Sequence, residues 1–191
     1  MILMDKRKKL IILTGPSGVG KGTLIREFLK RNKEFWLSVS STTRSPRSGE
    51  AEGVHYYFIT KNKFEEDIKK NNFLEWAEFA GNLYGTPKNI ILTKIEEGKN
   101  VLLEIELEGA RQVKQNYPDS FSVFISPPSL EELERRIRFR GTEKDLAISK
   151  RLERAKIELE AITEFDQSII NDDLEESVLE LEKVLFKNNL V

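Results

Sequence analysis

The chain has 191 residues, enough for one domain with a full core and a small inserted unit, and its 31 Lys and Arg against 32 Asp and Glu leave a net charge of −1. That balance gives no whole-molecule attraction for nucleic acid or an anionic membrane, so any basic site must be local. The absence of cysteine excludes disulfides, thiolate metal sites and cysteine nucleophiles, and the single histidine, His55, argues against a histidine metal cluster.

Lys6-Arg7-Lys8-Lys9 precedes only four apolar residues, Leu10-Ile11-Ile12-Leu13, too few for a signal peptide. No stretch reaches the roughly 18 apolar residues of a membrane span, and a soluble, cytoplasmic protein is expected. Leu10–Leu13 reads as a buried strand. Directly behind it stand Gly15-Pro16-Ser17-Gly18-Val19-Gly20-Lys21-Gly22-Thr23, followed by a helical pattern from about Gly20 to Arg31. A strand, a glycine-rich turn and a helix N-terminus aim backbone N–H groups at one point, where an anion is stabilised, and Lys21 adds a mobile charge. The spacing is that of the P-loop, G-x-x-x-x-G-K, except that Gly22 follows the lysine and the hydroxyl arrives one place later, at Thr23. A plain turn needs one or two glycines and has no use for that lysine.

From Ser38 to Tyr84 the character changes to aromatic and β-branched residues, glycines and a short helix, which predicts a mostly β insertion with its own site. Ser38-Val39-Ser40-Ser41-Thr42-Thr43 leads into Arg44-Ser45-Pro46-Arg47, two guanidinium groups and several hydroxyls suited to a second phosphate. Tyr57 and Trp76 are read as packing residues and His55 as a surface residue. Asn62 with Glu65 is a candidate capping box. Thr86-Pro87 predicts an N-cap followed by proline at the first helical position, with Gly98 stopping that helix.

Further apolar runs at Val101–Ile105, Ser122–Ile125 and Ser168–Ile170 alternate with helix-like segments, the pattern of parallel strands covered on both faces in a three-layer α/β sandwich. Glu104, Glu106 and Glu108 alternate at the end of the first of these runs; in a strand they share one face, at the edge where open α/β sheets bind ligands. Ser129 and Glu132 form another capping box. Six arginines, Arg135, Arg136, Arg138, Arg140, Arg151 and Arg154, crowd into twenty residues and predict a lid over phosphates. A helix from about Lys144 to Ala161 should turn Leu146, Ile148, Leu152, Ala155 and Leu159 to the core, and a last helix should run from about Leu174 to Phe186.

The ordered set formed by the glycine-rich loop, Ser38 to Arg47, Phe73-Leu74-Glu75-Trp76, Tyr84-Gly85-Thr86, Arg140-Gly141-Thr142 and Asn171-Asp172-Asp173 resembles guanylate kinase over essentially the whole chain. The resemblance implies a P-loop kinase fold with a parallel central sheet, a small β-rich GMP-binding subdomain and a helical lid. In that division residues 1–37, 88–126 and 157–191 are core, 38–87 the GMP-binding insertion and about 127–156 the lid. It also implies phosphorylation of GMP by ATP with Mg2+, in purine nucleotide metabolism. By position, Gly15 to Thr23 and Asn171 would bind ATP, with Thr23 near the metal. Arg44, Arg47, Tyr56 and Tyr84 would hold the GMP phosphate, and Ser40, Glu75, Thr86, Glu104 and Glu106 would lie around the guanine or a metal-bound water. Lys21, Arg44, Arg136, Arg140 and Arg151 would be catalytic, while Arg135, Arg138 and Arg154 would be solvated and paired with Glu131, Glu134 or Glu158. Glu106, Glu108 and Phe139 depart from the family pattern. A monomer or homodimer is expected, binding neither nucleic acid nor membrane. Two rivals are a guanylate-kinase-like interaction module without activity and a nucleoside monophosphate kinase of another base specificity.

Overall fold

The computed structural model describes residues 10–79, 81–139 and 145–187. In chain order the elements are β1 (Leu10–Thr14), α1 (Lys21–Arg31), β2 (Phe35–Leu37), β3 (Ser41–Thr42), β4 (Tyr57–Phe58), α2 (Lys61–Lys69), β5 (Phe73–Phe79), β6 (Asn82–Pro87) and α3 (Lys88–Glu96). They continue as β7 (Asn100–Glu104), α4 (Leu107–Asn116), β8 (Phe121–Ser126), α5 (Leu130–Phe139), α6 (Asp145–Glu160), β9 (Gln167–Ile170) and α7 (Leu174–Lys187).

The main sheet has the order β2-β7-β1-β8-β9 with every pair parallel. Alternate side chains of its buried strands sort onto two faces. Ile11, Leu13, Leu102, Val123, Ile125 and Ile169 pack with Leu24, Phe28, Leu181 and Leu185 of α1 and α7. Leu10, Ile12, Val101, Leu103 and Phe124 pack with Ile91, Ala110 and Val113 of α3 and α4. Continuous apolar runs therefore serve helices on both sides, and the three-layer α/β arrangement is as expected. The runs at β1, β7, β8 and β9 are the strands anticipated; β2, three residues long, is an addition too short to carry a periodicity of its own.

The second sheet, order β4-β3-β6-β5, pairs β3 with β4 in parallel and β6 antiparallel to both β3 and β5. Phe64, Phe73 and Leu83 make its small core, with the rings of Phe64 and Phe73 stacked 4.3 Å apart between centroids. Between the pairs Phe73↔Pro87 and Trp76↔Gly85, β5 has two residues, Leu74 and Glu75, against one on β6, Thr86. This bulge interrupts the in–out alternation, so that Phe73, Leu74 and Glu75 are all buried in succession.

Several local expectations need correction. The cap of α2 is Thr60, whose Oγ1 accepts from Lys63 N at 3.2 Å, because the helix begins before Asn62. The residue before α3 is Pro87, while Thr86 belongs to β6 and is buried. Gly98, at φ +84°, does follow the end of α3, and Ser129 Oγ accepts from Glu132 N at 3.1 Å. On α6, Leu146 is 72% exposed: it lies two residues from buried Ile148, hence about 200° around the helix. Among the described residues no helix is long and apolar enough to cross a membrane.

Candidate active site

The glycine-rich loop is pinned between β1 and α1. Gly15 has φ +143°, and an added Cβ would lie 2.0 Å from the carbonyl oxygen of Ile125 on β8, so the loop approaches the sheet as only glycine permits. Gly20 starts α1 with no side-chain cap, which leaves the helix N-terminus for a ligand. Lys21 is buried, and its Nζ donates to the carbonyls of Gly15 at 2.5 Å and Pro16 at 3.2 Å. Burial pushes its pKa down, opposed by Glu106, Glu104 and Glu158. A cleft of about 340 Å³ opens here, lined by Ser17, Gly18, Gly20 to Thr23, Arg26, Glu104 and Glu106. Thr23 is exposed at its edge, its Oγ1 accepting from Arg26 at 3.3 Å.

The three alternating carboxylates do not share a strand face. β7 ends at Glu104; Glu106 is the residue before α4 and Glu108 is in its first turn, where acidic side chains complement the helix dipole. Glu104 and Glu106 both reach the cleft, whereas Glu108 pairs with Arg111. Glu104 remains accessible to solvent, yet the concave protein surroundings remove enough water to raise its pKa, with Lys21 opposing and Glu106 adding to the shift.

On the second sheet Arg44 is gripped by Glu50, Nη1 to Oε2 at 2.7 Å and Nη2 to Oε1 at 2.8 Å. The guanidinium lies 5.2 Å from the Tyr56 ring centre and also engages Tyr84 through its hydroxyl, while Tyr56 and Tyr84 meet edge to face. Glu50 accepts from Arg47 N as well and is held at a pKa of about 2, first by Arg44. Arg44, Tyr56 and Tyr84, which the resemblance grouped, thus come together, and Arg47 joins them through its backbone N–H on Glu50. Glu50 was not anticipated; its signal was that it is the first acidic residue after Ser38, three places beyond Arg47. Ser40 precedes β3 and is half-buried, its carbonyl accepting from Tyr57 N.

Glu75 is 7% exposed, and its Oε1 accepts from Thr86 Oγ1 at 2.6 Å. Burial pushes its pKa up, and hydrogen bonds from the Thr86 hydroxyl and backbone oppose the rise. The bulge places this carboxylate opposite Thr86 and turns it inward.

From the other side, α5 and α6 approach the loop. Arg136 donates from Nε to Glu132 at 2.7 Å, from Nη1 to the carbonyls of Asn171 at 2.7 Å and Val19 at 3.2 Å, and from Nη2 to Asp172 O at 3.3 Å. Asn171 Nδ2 donates to the same Val19 carbonyl at 2.8 Å, so both residues brace the loop. Arg151 Nη2 donates to Ser17 Oγ at 2.8 Å. Arg140 and the rest of Arg140-Gly141-Thr142 lie outside the described residues. Arg135 pairs with Glu132 rather than Glu131, Arg138 with Glu134 and Asp145, and Arg154 with both Glu158 and Glu106.

The described residues thus hold a glycine-rich loop at a helix N-terminus and, on the second sheet, an arginine–tyrosine cluster and a buried carboxylate. The family model described as guanylate kinase matches residues 7–188. The chain belongs to the guanylate kinase family. It is 56% identical over 182 residues to a guanylate kinase of Prochlorococcus marinus subsp. pastoris, covering 95% of this chain and 99% of that one. A guanylate kinase of a Synechococcus strain is 58% identical over 172 residues, covering 90% of each. Among solved structures, the guanylate kinase of Anaplasma phagocytophilum matches with a TM-score of 0.75 and 30% identity, covering 95% of this chain and 86% of that one. A shikimate kinase of Bacteroides thetaiotaomicron, at 17% identity and a TM-score of 0.51, shares the fold alone.

Proposed function

We infer that this chain phosphorylates GMP to GDP with ATP, as a cytoplasmic monomer or homodimer, and that the residues described above divide into a donor and an acceptor site. The observation that carries the reading, beside the family membership, is Glu75. It is a buried carboxylate with one oxygen on Thr86, set in a sheet that also holds the Arg44 cluster. Guanine presents N1–H and N2–H as adjacent donors, which one ionised carboxylate accepts together. Adenine has a lone pair at N1 and would leave Glu75 facing it, a mismatch of the kind that supports roughly 10⁴-fold discrimination. The two base donors also favour the ionised form that burial disfavours.

In this reading Arg44, Arg47, Tyr56 and Tyr84 hold the GMP phosphate, and Ser40, Glu75 and Thr86 surround the base. Gly15 to Thr23 and Lys21 hold the ATP phosphates, and Asn171 lies toward the donor base. Arg136, Arg140 and Arg151 neutralise charge on the transferring group; Arg136 exchanges loop carbonyls for phosphate oxygens to do so. The GMP phosphate is already ionised near neutral pH, so an in-line attack needs no protein base and no covalent intermediate. Closure of α5 and α6 keeps water from the phosphates.

The hard oxygen donors in the cleft, Thr23 Oγ1 and the carboxylates of Glu104 and Glu106, suit Mg2+. Among the described residues no group of three or more His, Cys, Asp or Glu is set to hold a metal, so phosphates and waters would supply most of its ligands. When bound, Mg2+ would supply positive charge that offsets the charge of the phosphate oxygens.

The test is ADP release with a panel of nucleoside monophosphates. GMP should be the fastest acceptor, and Lys21→Ala should lower turnover by about 10²-fold or more. Faster turnover of AMP or UMP would refute the base assignment, and no ADP with any acceptor would refute the activity.

A further inference from the structure

The third residue of α4, Gly109, is buried and has an ordinary negative φ, so its backbone does not require glycine. Alanine would favour the helix. What the position requires is space. A Cβ there would meet Glu75 Oε2 at 2.7 Å, Cδ at 3.1 Å and Cγ at 3.4 Å, and these are the three nearest atoms.

Neither partner is placed to yield. The other oxygen of Glu75 is fixed by Thr86 at 2.6 Å. The helix is tied to β5 one turn further on, where Gln112 Oε1 accepts from Trp76 N at 3.1 Å and Gln112 Nε2 donates to Trp76 O at 3.1 Å. Positions 109 and 112 lie on one face of α4, so this clamp on the residue next to Glu75 holds the helix at the distance that only a missing side chain allows. The carboxylate also lies against the first turn of α4, where the helix dipole favours its charge.

We propose that Gly109 is a specificity-determining position that acts through Glu75: the missing Cβ lets α4 pack against the carboxylate while leaving it posed to read the guanine edge. Glu75 is the residue that touches the base, and Gly109 is a positioning residue; the proposal rests on the reading of Glu75 as the base reader.

The experiment is a double-mutant cycle of Gly109→Ala and Glu75→Ala, read by GMP affinity in calorimetry, by KM for GMP and for ATP, and by melting temperature. Gly109→Ala should weaken GMP by about tenfold or more, the loss of a charge-assisted contact, with KM for ATP within twofold. In the Glu75→Ala background the same substitution should have no further effect on GMP, since the atoms it displaces are gone. GMP binding by Gly109→Ala within twofold of the unsubstituted chain, while Glu75→Ala loses it, would overturn the proposal; so would additive losses in the cycle, which mark a general structural effect. If Glu75→Ala itself leaves GMP use intact, the base reading fails and the proposal with it. Should Gly109→Ala fold poorly, recovery of folding in the double variant supports the steric link to Glu75, and failure to recover refutes it.

Discussion

Lys21 and Glu75, two of the charged side chains buried among the described residues, are buried at a cost. Lys21 and Glu75 are 8% and 7% exposed, and desolvation is the first cause of the shift in each, downward for the lysine and upward for the carboxyl. Each is held by neutral donors or acceptors, loop carbonyls in one case and Thr86 in the other, which a ligand phosphate or a guanine edge would supplement. For Glu75 the linkage has a definite sign. Its folded pKa lies above the unfolded one, so the folded state binds a proton more tightly and gains stability as pH falls through the folded pKa. Glu75→Gln removes that dependence. Its melting temperature should exceed that of the unsubstituted protein by a few degrees at pH 8, and the gap should shrink as the pH is lowered toward 4; a gap independent of pH would show that Glu75 is not a buried ionised carboxylate. The place of Lys21 at the end of the glycine-rich loop was legible because the P-loop spacing is local. The alternation of Leu74, Glu75 and Trp76 could not disclose the inward turn of Glu75, which depends on a bulge set by pairing with β6.

Among the elements, α4 does two tasks at once. One face packs in the main core through Ala110 and Val113, and another clamps β5 of the second sheet through Gln112. Gln112→Ala should therefore release the edge strand. The expected result is faster amide exchange at Trp76 and a rise in KM for GMP of about threefold to tenfold, with KM for ATP unchanged. Unchanged exchange at Trp76 would mean that the clamp does not hold β5. Elements with a strong local signal, β1, α1, β8 and α7, could be read from sequence, because burial on both faces or a 3.6 period marks them. The fate of Glu106 and Glu108 could not. Alternation of Glu, Ile, Glu, Leu, Glu fits a strand, and only the start of α4 at Leu107 turns the last two into helix N-terminal residues.

At the scale of the whole molecule, a nearly neutral chain is organised into local charge contrasts. Glu50 on Arg44, and Glu132 on Arg135 and Arg136, are both held at a pKa of about 2 against an ordinary 4.5. These depressed carboxylates stabilise the fold above the unfolded pKa, and that contribution is lost as pH falls from about 4.5 through 2, the opposite sense to Glu75. A Glu50→Gln, Glu132→Gln variant should melt a few degrees lower than the unsubstituted protein at pH 7 and converge with it near pH 2, followed by circular dichroism. A gap that persists in acid would attribute the loss to packing instead. The global division into a parallel core and a β-rich insertion was readable in hydrophobic pattern, but the pairing of Arg44 with Glu50 was not, since it depends on how the Pro46 to Glu50 turn closes in space.

The bulge in β5 carries one more consequence. Because side chains of a strand alternate, the direction in which Glu75 points is a matter of parity, fixed by the odd residue that β5 holds between Phe73 and Trp76 relative to β6. Removing Leu74, one of the two residues between Phe73 and Trp76, would keep every side chain proposed to touch the nucleotide and still abolish the irregularity that seats Glu75. On the reading of Glu75 proposed above, base preference would depend partly on a count of residues, which a comparison of site residues alone would never register.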